Sequence, residues 1–235
     1  MPKDPTRAPP PSRDPDLDEL QAWQGGDQRA GNRLLSKHYD TVYNFFNRKI
    51  GGDVGDLVQG TFITCLQVVA RFERRSTFRT FLLGIARNKL LEHLRSRRNS
   101  PNTPMHSEVT SLQDLGVSPT QLLRDQQQSR LVYEALRRIP IDHQLLLELF
   151  YWEKLKGHEI AGVFEIPENT VRARLRRARE LLKQSLGALE TDADALKTTI
   201  HNLDDHILRL RDQAHAKYPQ LDDDPETPVR NSECG

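Results

Sequence analysis

Five arginines lie within sixteen residues of this chain, in the segment PENTVRARLRRARELL at positions 167–182. They are Arg172, Arg174, Arg176, Arg177 and Arg179. Guanidinium groups bind phosphate oxygens, and they can hold the edge of a guanine through two parallel hydrogen bonds. Only Glu168 and Glu180 could neutralise these arginines locally. The segment therefore favours contact with a polyanion such as DNA.

A second basic segment lies between residues 71 and 98, where nine arginines and lysines accompany two glutamates. Residues 187–235 carry eleven acids against five bases. The formal net charge of +1 over 235 residues is therefore a cancellation between two basic segments and an acidic tail. Two separate basic patches suit a polyanion that is contacted at two places.

The periodicity of the apolar residues is helical almost throughout, and no stretch alternates convincingly as a strand, so we expect an all-α chain. Two helices broken near Gly25 and Gly26 are expected in residues 17–50, and Asp53 is the expected N-cap of the next helix. Two small helical domains joined by a linker then account for the composition. The expected boundaries are a disordered arm at 1–16, a first domain at 17–98, a linker at 99–128, a second domain at 129–186, a helical extension at 187–216 and a disordered acidic tail at 217–235.

The arginine-rich segment is the second half of a helix-turn-helix pattern. The short apolar stretch GHEIAGVF precedes it, with a turn at 165–167 between them. In this motif the second helix lies in the major groove of DNA. Asp142 is the expected cap of the helix before the motif, and Ser76 or Thr77 that of the helix in the first basic segment. The alternative is that the arginines form only a solvated helix surface.

Both halves of the chain resemble the extracytoplasmic-function (ECF) group of bacterial RNA polymerase sigma factors. The segments that carry the resemblance are DVGDLVQGTF at 53–62, STFRTFLLGIARNKLLEHLRSRR at 76–98 and EIAGVFEIPENTVRARLRRARELL at 159–182. The resemblance implies that the first segment binds the clamp helices of the polymerase's largest subunit. It implies that the second melts and reads the minus-ten promoter element, and that the third reads the minus-thirty-five element.

Candidate residues follow from these segments. The expected contacts to core polymerase are Asp53, Asp56, Leu57, Val58 and Gln59. Those to the minus-ten DNA are Arg71, Arg74, Arg75, Ser76, Thr77, Arg87, Asn88, Arg95, Arg97 and Arg98. Those to the minus-thirty-five DNA are Asn169, Thr170, Arg172, Ala173, Arg174, Arg176 and Arg177. Phe78 and Phe81 could stack on unpaired bases, but core packing is the preferred interpretation.

Beyond the region of resemblance, leucines recur every seven residues. The expected heptad seam consists of Leu189, Leu196, Ile200, Leu203, Ile207 and Leu210. Such a pattern is typical of a coiled coil. Thr191 or Asp192 could separate this helix from the arginine-rich one. We expect the seam to dock on the chain's own domains or on a partner, with homodimerisation as the alternative, and the acidic tail to shield the basic helices from DNA.

The function expected from the sequence is that of a sigma factor, with core RNA polymerase and promoter DNA as partners and an anti-sigma factor as a further one. The spacing of histidines and cysteines predicts no metal, no cofactor motif is present, and we expect neither enzymatic activity nor a membrane contact. A reduced, cytoplasmic chain is expected from the cysteine usage. The alternatives are a dimeric helix-turn-helix regulator and a coiled-coil adaptor with degenerate DNA-binding halves.

Overall fold

The computed structural model describes residues 14–50, 52–98, 127–190, 192–205 and 207–208. Its first half contains the helices α1 (Leu17–Gln24), α2 (Gln28–Lys37), α3 (Tyr39–Asn47), α4 (Gly55–Val68) and α5 (Phe78–Arg98), with a short 3-10 helix (Val69–Arg71) after α4. Its second half contains α6 (Gln127–Arg138), α7 (Ile141–Tyr151), α8 (Gly157–Phe164), α9 (Glu168–Leu189) and α10 (Ala193–His201). The described residues contain no strand, so the expected all-α class is confirmed.

Residues 17–50 form three helices rather than the two expected. The break near Gly25 is present, and the Asp27 carboxylate caps α2 by accepting from the backbone N–H groups of Arg29 and Ala30, at 2.8 and 3.2 Å. A second break falls at His38, whose backbone leaves the helical region at φ −99° and ψ 3°. The His38 ring lies 2.7 Å from the buried carboxylate of Asp16. This long-range contact is a feature that helical periodicity does not report.

Two expected caps are displaced. Val54, not Asp53, occupies the N-cap of α4, and the Asp53 carboxylate accepts from the Gly55 N–H at 2.8 Å just outside the helix. Pro140 precedes α7, so Asp142 lies inside its first turn. Of the two expected caps of α5, Ser76 and Thr77, it is Thr77 that caps the helix, because its hydroxyl oxygen accepts from the Thr80 N–H at 3.2 Å.

The two halves share one continuous apolar core. In the first half it is built on fully buried side chains of α1 to α5, among them Leu20, Phe46, Phe78 and Leu82. In the second half Leu145, Leu149 and Ile160 from α7 and α8 contribute to it. Helix α5 packs directly against α8, which joins the two halves. No helix of the described residues is long and apolar enough to cross a bilayer.

The helical extension begins with α10, and a break in the helix separates α10 from α9. The Asp192 carboxylate caps α10 by accepting from the N–H groups of Asp194 and Ala195, at 2.9 and 3.3 Å, which confirms the predicted break. The chain is helical again at 203–205 and 207–208. The predicted disordered arm (1–16) is wrong at its end, since Asp16 is buried and bonded to His38. The arm before residue 14, most of the predicted linker (99–126), Leu210 and the acidic tail lie outside the described residues.

Candidate nucleic-acid interface and polymerase-binding surface

The arginine-rich helix α9 has one buried and one exposed side. Val171, Leu175, Ala178 and Leu182 are all buried, as their helical spacing predicts. Arg174, Arg176 and Arg177 are exposed and form no ion pair with a described residue, while Arg172 pairs with Glu168 at 2.7 Å. The exposed side also carries Asn169 and Ala173, with Thr170 half-buried. The helix therefore presents a cationic surface whose orientation is set by its apolar side.

The turn before α9 determines how this surface is presented. Glu165 ends α8 in the left-handed region at φ 54°, where a residue without a Cβ would be less strained. Pro167 then occupies the N-cap of α9 in extended backbone. At the other end of α8, Glu159 accepts from the Lys156 N–H at 2.8 Å. Both ends of this short helix are thus defined by local contacts.

The fifth arginine of the segment has a different environment. The Arg179 Nε donates to the Tyr151 hydroxyl at 3.0 Å, and the guanidinium lies over the rings of Phe150 and Tyr151, with 5.3 and 5.6 Å to the centroids. Tyr151 in turn donates to the Asp204 carboxylate from the extension. Burial, together with the bond to Asp204, raises the pKa of Tyr151 to about 12. Arg179 therefore belongs to the contact between α7, α9 and the extension.

The loop at residues 73–77, between the 3-10 helix and α5, presents the second candidate DNA surface. Arg71, Arg74 and Arg75 are exposed, and the Arg75 side chain is 86% accessible beside Glu73. Ser76 and Thr77 are half-buried. Behind the loop, Phe72 and Phe81 stack with their centroids 4.2 Å apart, and Phe78 is fully buried. Phe78 is therefore a core residue, as preferred from the sequence, and only Phe72 and Phe81 retain partial exposure.

The remaining candidates for the minus-ten DNA lie along α5 in different environments. Asn88 and Arg95 are exposed. Arg87 is engaged with the second half: its Nη2 lies 2.9 Å from an Asp142 carboxylate oxygen, and its guanidinium lies 4.3 Å from the Phe164 ring centroid. Arg97 and Arg98 belong to the last turn of α5, but their side chains lie outside the described part. In this conformation Arg87 is thus occupied by a protein contact.

The expected polymerase-binding residues on α4 and just before it do not share one surface. Asp53, Asp56 and Gln59 are exposed and Leu57 is half-buried. Val58 is only 3% exposed and lies in the core, so its expected role as a polymerase contact is wrong. The helical repeat explains this, because Val58 shares its side of α4 with the buried Thr61 and Cys65.

Sequence reasoning missed part of this α4 surface. Ile63 and Leu66 are 47% and 52% exposed. With Asp56 and Gln59 they follow the spacing of one helix side. Tyr39 from α3 is also exposed and stacks on Phe62, with 6.1 Å between centroids. The sequence pattern could have revealed this surface, since the helical repeat that links the polar pair Asp56 and Gln59 continues to the two exposed apolar residues.

The contact between the two halves is built on acidic residues of α7 and its C-terminal end. Glu153 is 7% exposed and lies between Arg48 and Arg79, with 2.5 Å from its Oε2 to the Arg79 Nη2. Burial alone would raise the pKa of Glu153, but the two guanidinium groups outweigh this and lower it. Lys49 is fully buried with its Nζ 2.5 Å from Glu148, and burial lowers its pKa to about 8.

The heptad seam is partly covered by the chain itself. Leu203 and Ile207 are buried, and Leu196 packs beside Gly187 of α9. Leu189 and Ile200 are half-buried. A coiled coil with a second chain is not confirmed, because the most buried seam residues, Leu203 and Ile207, belong to the apolar core that the chain itself forms.

Comparison with known proteins identifies the two halves. The Sigma-70 region 2 family matches residues 34–100, and the Sigma-70 region 4 family matches residues 129–182. The ECF RNA polymerase sigma-E factors of Haemophilus influenzae (strain ATCC 51907 / DSM 11121 / KW20 / Rd) and Escherichia coli (strain K12) are each 29% identical over 174 residues. These alignments cover 71% of this chain and 92% and 91% of the two relatives.

Two solved structures are also similar. One is CnrH in complex with the cytosolic domain of CnrY, at 22% identity, a TM-score of 0.49 and coverage of 74% of this chain and 97% of that one. The other is the sigma factor RpoE in complex with the anti-sigma factor NepR from Bartonella quintana, at 19% identity, a TM-score of 0.48 and coverage of 68% and 96%. With both sigma-70 regions matched in order and the sigma-E factors covered over nearly their whole length, the chain belongs to the ECF group of RNA polymerase sigma factors.

Proposed function

We propose that this sigma factor binds core RNA polymerase and directs it to promoters through two DNA-contacting domains, at residues 17–98 and 129–186. The observation that carries the proposal is α9, where exposed arginines lie opposite a buried apolar side. A helix fixed in this way can enter the major groove without rearrangement. Asn169, Thr170 and Ala173 on its first turns, with the exposed arginines, then contact the minus-thirty-five element.

The loop at 73–77 and α5 contact the minus-ten element. Unpaired bases are held by a combination of positive charge and stacking surfaces. The exposed Arg71 and Arg75 supply charge beside the partly exposed rings of Phe72 and Phe81. Asn88 and Arg95, further along α5, are placed to follow the flanking strand.

Core polymerase binds the exposed side of α4. Asp56 and Gln59 are polar groups beside the exposed apolar residues Ile63 and Leu66. Apolar side chains surrounded by polar groups are typical of a protein interface. Asp53 and Leu57 extend this surface at the start of the helix.

Loading onto a promoter requires the two domains to separate. The positions that give the minus-ten and minus-thirty-five elements their names are about 25 base pairs apart. This is roughly 85 Å along B-form DNA at ~3.4 Å per base pair. Helices α5 and α8 are in direct contact in the described conformation, and Arg87 is occupied by Asp142. This closed conformation therefore precedes promoter binding, and separation of the domains releases Arg87 for DNA.

The remaining parts of the proposal follow from family membership. The chain makes and breaks no bonds itself, acts in the cytoplasm, and is a candidate for control by an anti-sigma factor. The linker at 99–128 connects the two domains along the polymerase. A dimeric regulator is not favoured, since the seam residues Leu203 and Ile207 are buried in the apolar core that the chain itself forms.

Run-off transcription with purified core polymerase tests the proposal. Templates are drawn from the promoters of the source genome, and the full-length chain is expected to produce discrete transcripts that core enzyme alone does not. A matched sample with Arg174, Arg176 and Arg177 replaced by alanine should lose these transcripts while it still co-purifies with core. Binding to DNA without any transcript in the presence of core would instead favour a regulator that does not act as a sigma factor.

A further inference from the structure

The segment that precedes the Sigma-70 region 2 match reaches the loop at 73–77 from both ends. The family match begins at residue 34, while the contacts to the loop come from Asp14 and from Gln24, the last residue of α1. We infer that Gln24 and Asp14 are positioning residues that hold this loop in the conformation that reads the minus-ten element. The inference rests on the proposed role of the loop.

Gln24 is bonded at both ends of its amide. Its Nε2 donates to the backbone oxygens of Val69 and Phe72, at 2.8 and 3.3 Å. Its Oε1 accepts from the Nε and Nη2 of Arg74, at 3.1 and 2.7 Å. An amide has two donor hydrogens and two acceptor lone pairs, so all of them are used. One side chain therefore connects the backbone entering the loop to a side chain within it.

Arg74 has an unusual backbone that explains the need for such a contact. Its φ is 58°, in the left-handed region that is strained for a residue with a Cβ. Such a conformation persists only where its surroundings hold it. The two bonds from the guanidinium to Gln24 provide that restraint. They also engage the Arg74 head group. Arg75, whose one ion-pair partner among the described residues is the exposed Glu73, is therefore the freer cation for DNA.

Asp14 holds the far end of the loop. Its Oδ2 accepts from the N–H of Phe78, the first residue of α5, at 2.8 Å, and its Oδ1 accepts from the Asp16 N–H at 3.0 Å. A carboxylate at this position satisfies a backbone donor and interacts favourably with the helix dipole. Asp16 is itself buried against His38. The five loop residues thus lie between two contacts, one made by Gln24 and the other by Asp14.

The consequence for promoter reading is a division of roles among the candidate residues. Arg74 is a positioning residue, and Arg75, Ser76 and Thr77 make the DNA contacts. Loss of the Gln24 bonds should lower the ratio of the reading conformation to the other loop conformations about tenfold, since a hydrogen bond to a charged group contributes by about that factor. Discrimination at the minus-ten element then falls, whereas the number of phosphate contacts does not change.

The experiment uses holoenzyme reconstituted with the full chain, and DNA libraries randomised at the minus-ten or the minus-thirty-five element. Wild type should enrich a motif from each library. Gln24→Ala should lower enrichment of the minus-ten motif about tenfold, leave the minus-thirty-five motif and the salt dependence of binding unchanged, and retain core binding. Gln21→Ala is the matched control, because Gln21 is an exposed glutamine one turn earlier on α1.

Arg74→Gly in the Gln24→Ala background separates the two roles of Arg74. Glycine adopts positive φ without steric cost, so a positioning role predicts that enrichment of the minus-ten motif is restored at least in part. Unchanged enrichment in Gln24→Ala would overturn the inference. So would a further loss on Arg74→Gly, with the salt slope reduced by about one, because Arg74 would then contact a phosphate directly. If wild type enriches no minus-ten motif, the proposed function of the loop fails instead.

Discussion

Replacing Glu153 with glutamine removes the negative charge that lies between Arg48 and Arg79 while keeping the size of the side chain. In the closed conformation both guanidinium groups would then remain partly buried without a counter-charge. In the open conformation both are hydrated, so the substitution costs little there. The substitution should therefore shift the equilibrium between the two conformations toward the open one.

The magnitude follows from the burial of the three groups. Breaking a buried ion pair by removing one partner costs about 3–5 kcal/mol. We expect about 3 kcal/mol here, since a third of the Arg79 side chain is exposed to water. At 1.4 kcal/mol per tenfold change, this shifts the ratio of closed to open conformations by a factor of about 100.

Energy transfer between two dyes measures the separation of the domains. Exposed Gln67 on α4 and Gln184 on α9 are suitable sites for cysteine substitution. Cys234 is replaced by serine, and Cys65 needs no change because it is buried and its pKa is raised to about 12, which keeps the thiol unreactive. Glu153→Gln is expected to lower the transfer efficiency relative to wild type.

Glu180→Gln is the matched control, because it changes the net charge equally at an exposed site that pairs only weakly with Lys183, at 3.5 Å. The same wild-type sample has an expected pH dependence. The pKa of Glu153 lies below its ordinary value of 4.5, so its contribution is complete above pH 4.5 and is lost as the pH falls through the lower value. Equal transfer efficiencies in Glu153→Gln and Glu180→Gln, with native helicity in both, would refute the reasoning.

Three further predictions concern the other surfaces. Asp56→Ala together with Gln59→Ala should weaken binding to core polymerase without changing the circular dichroism, and undiminished co-purification with core would count against the α4 surface. Arg176→Ala should cost ~1–3 kcal/mol of promoter affinity if Arg176 contacts a base edge. Arg179→Ala should leave binding to isolated minus-thirty-five DNA unchanged, because Arg179 contacts other parts of the protein. Equal losses of affinity for the two variants in a gel-shift titration would contradict this assignment. Ile207→Ala should lower the free energy of unfolding by about 2 kcal/mol, the low end of the range for truncating a buried isoleucine. Light scattering should give the mass of a monomer. A wild-type protein that dimerises as its concentration rises would show instead that the seam pairs between chains.

The local features of this protein could be predicted from the sequence because their causes are local. The spacing of Val171, Leu175, Ala178 and Leu182 identified the buried side of α9, since a helix repeats every 3.6 residues whatever it packs against. Thr77 and Asp192 were among the candidate caps because a short polar side chain reaches only the first N–H groups of its own helix. The resemblance to ECF sigma factors likewise depended on contiguous segments.

What only the tertiary structure decided involves residues far apart in the chain. Arg87 and Asp142 are separated by 55 residues, and Arg48 and Glu153 by 105. Ion pairs of this kind leave no periodic pattern, so a sequence that suggests free cations for DNA cannot reveal that one domain neutralises the other. The seam of the extension was equally ambiguous. Leucines at heptad spacing require an apolar partner, but whether the chain's own core or a second chain supplies it depends on surfaces that form only when the chain has folded.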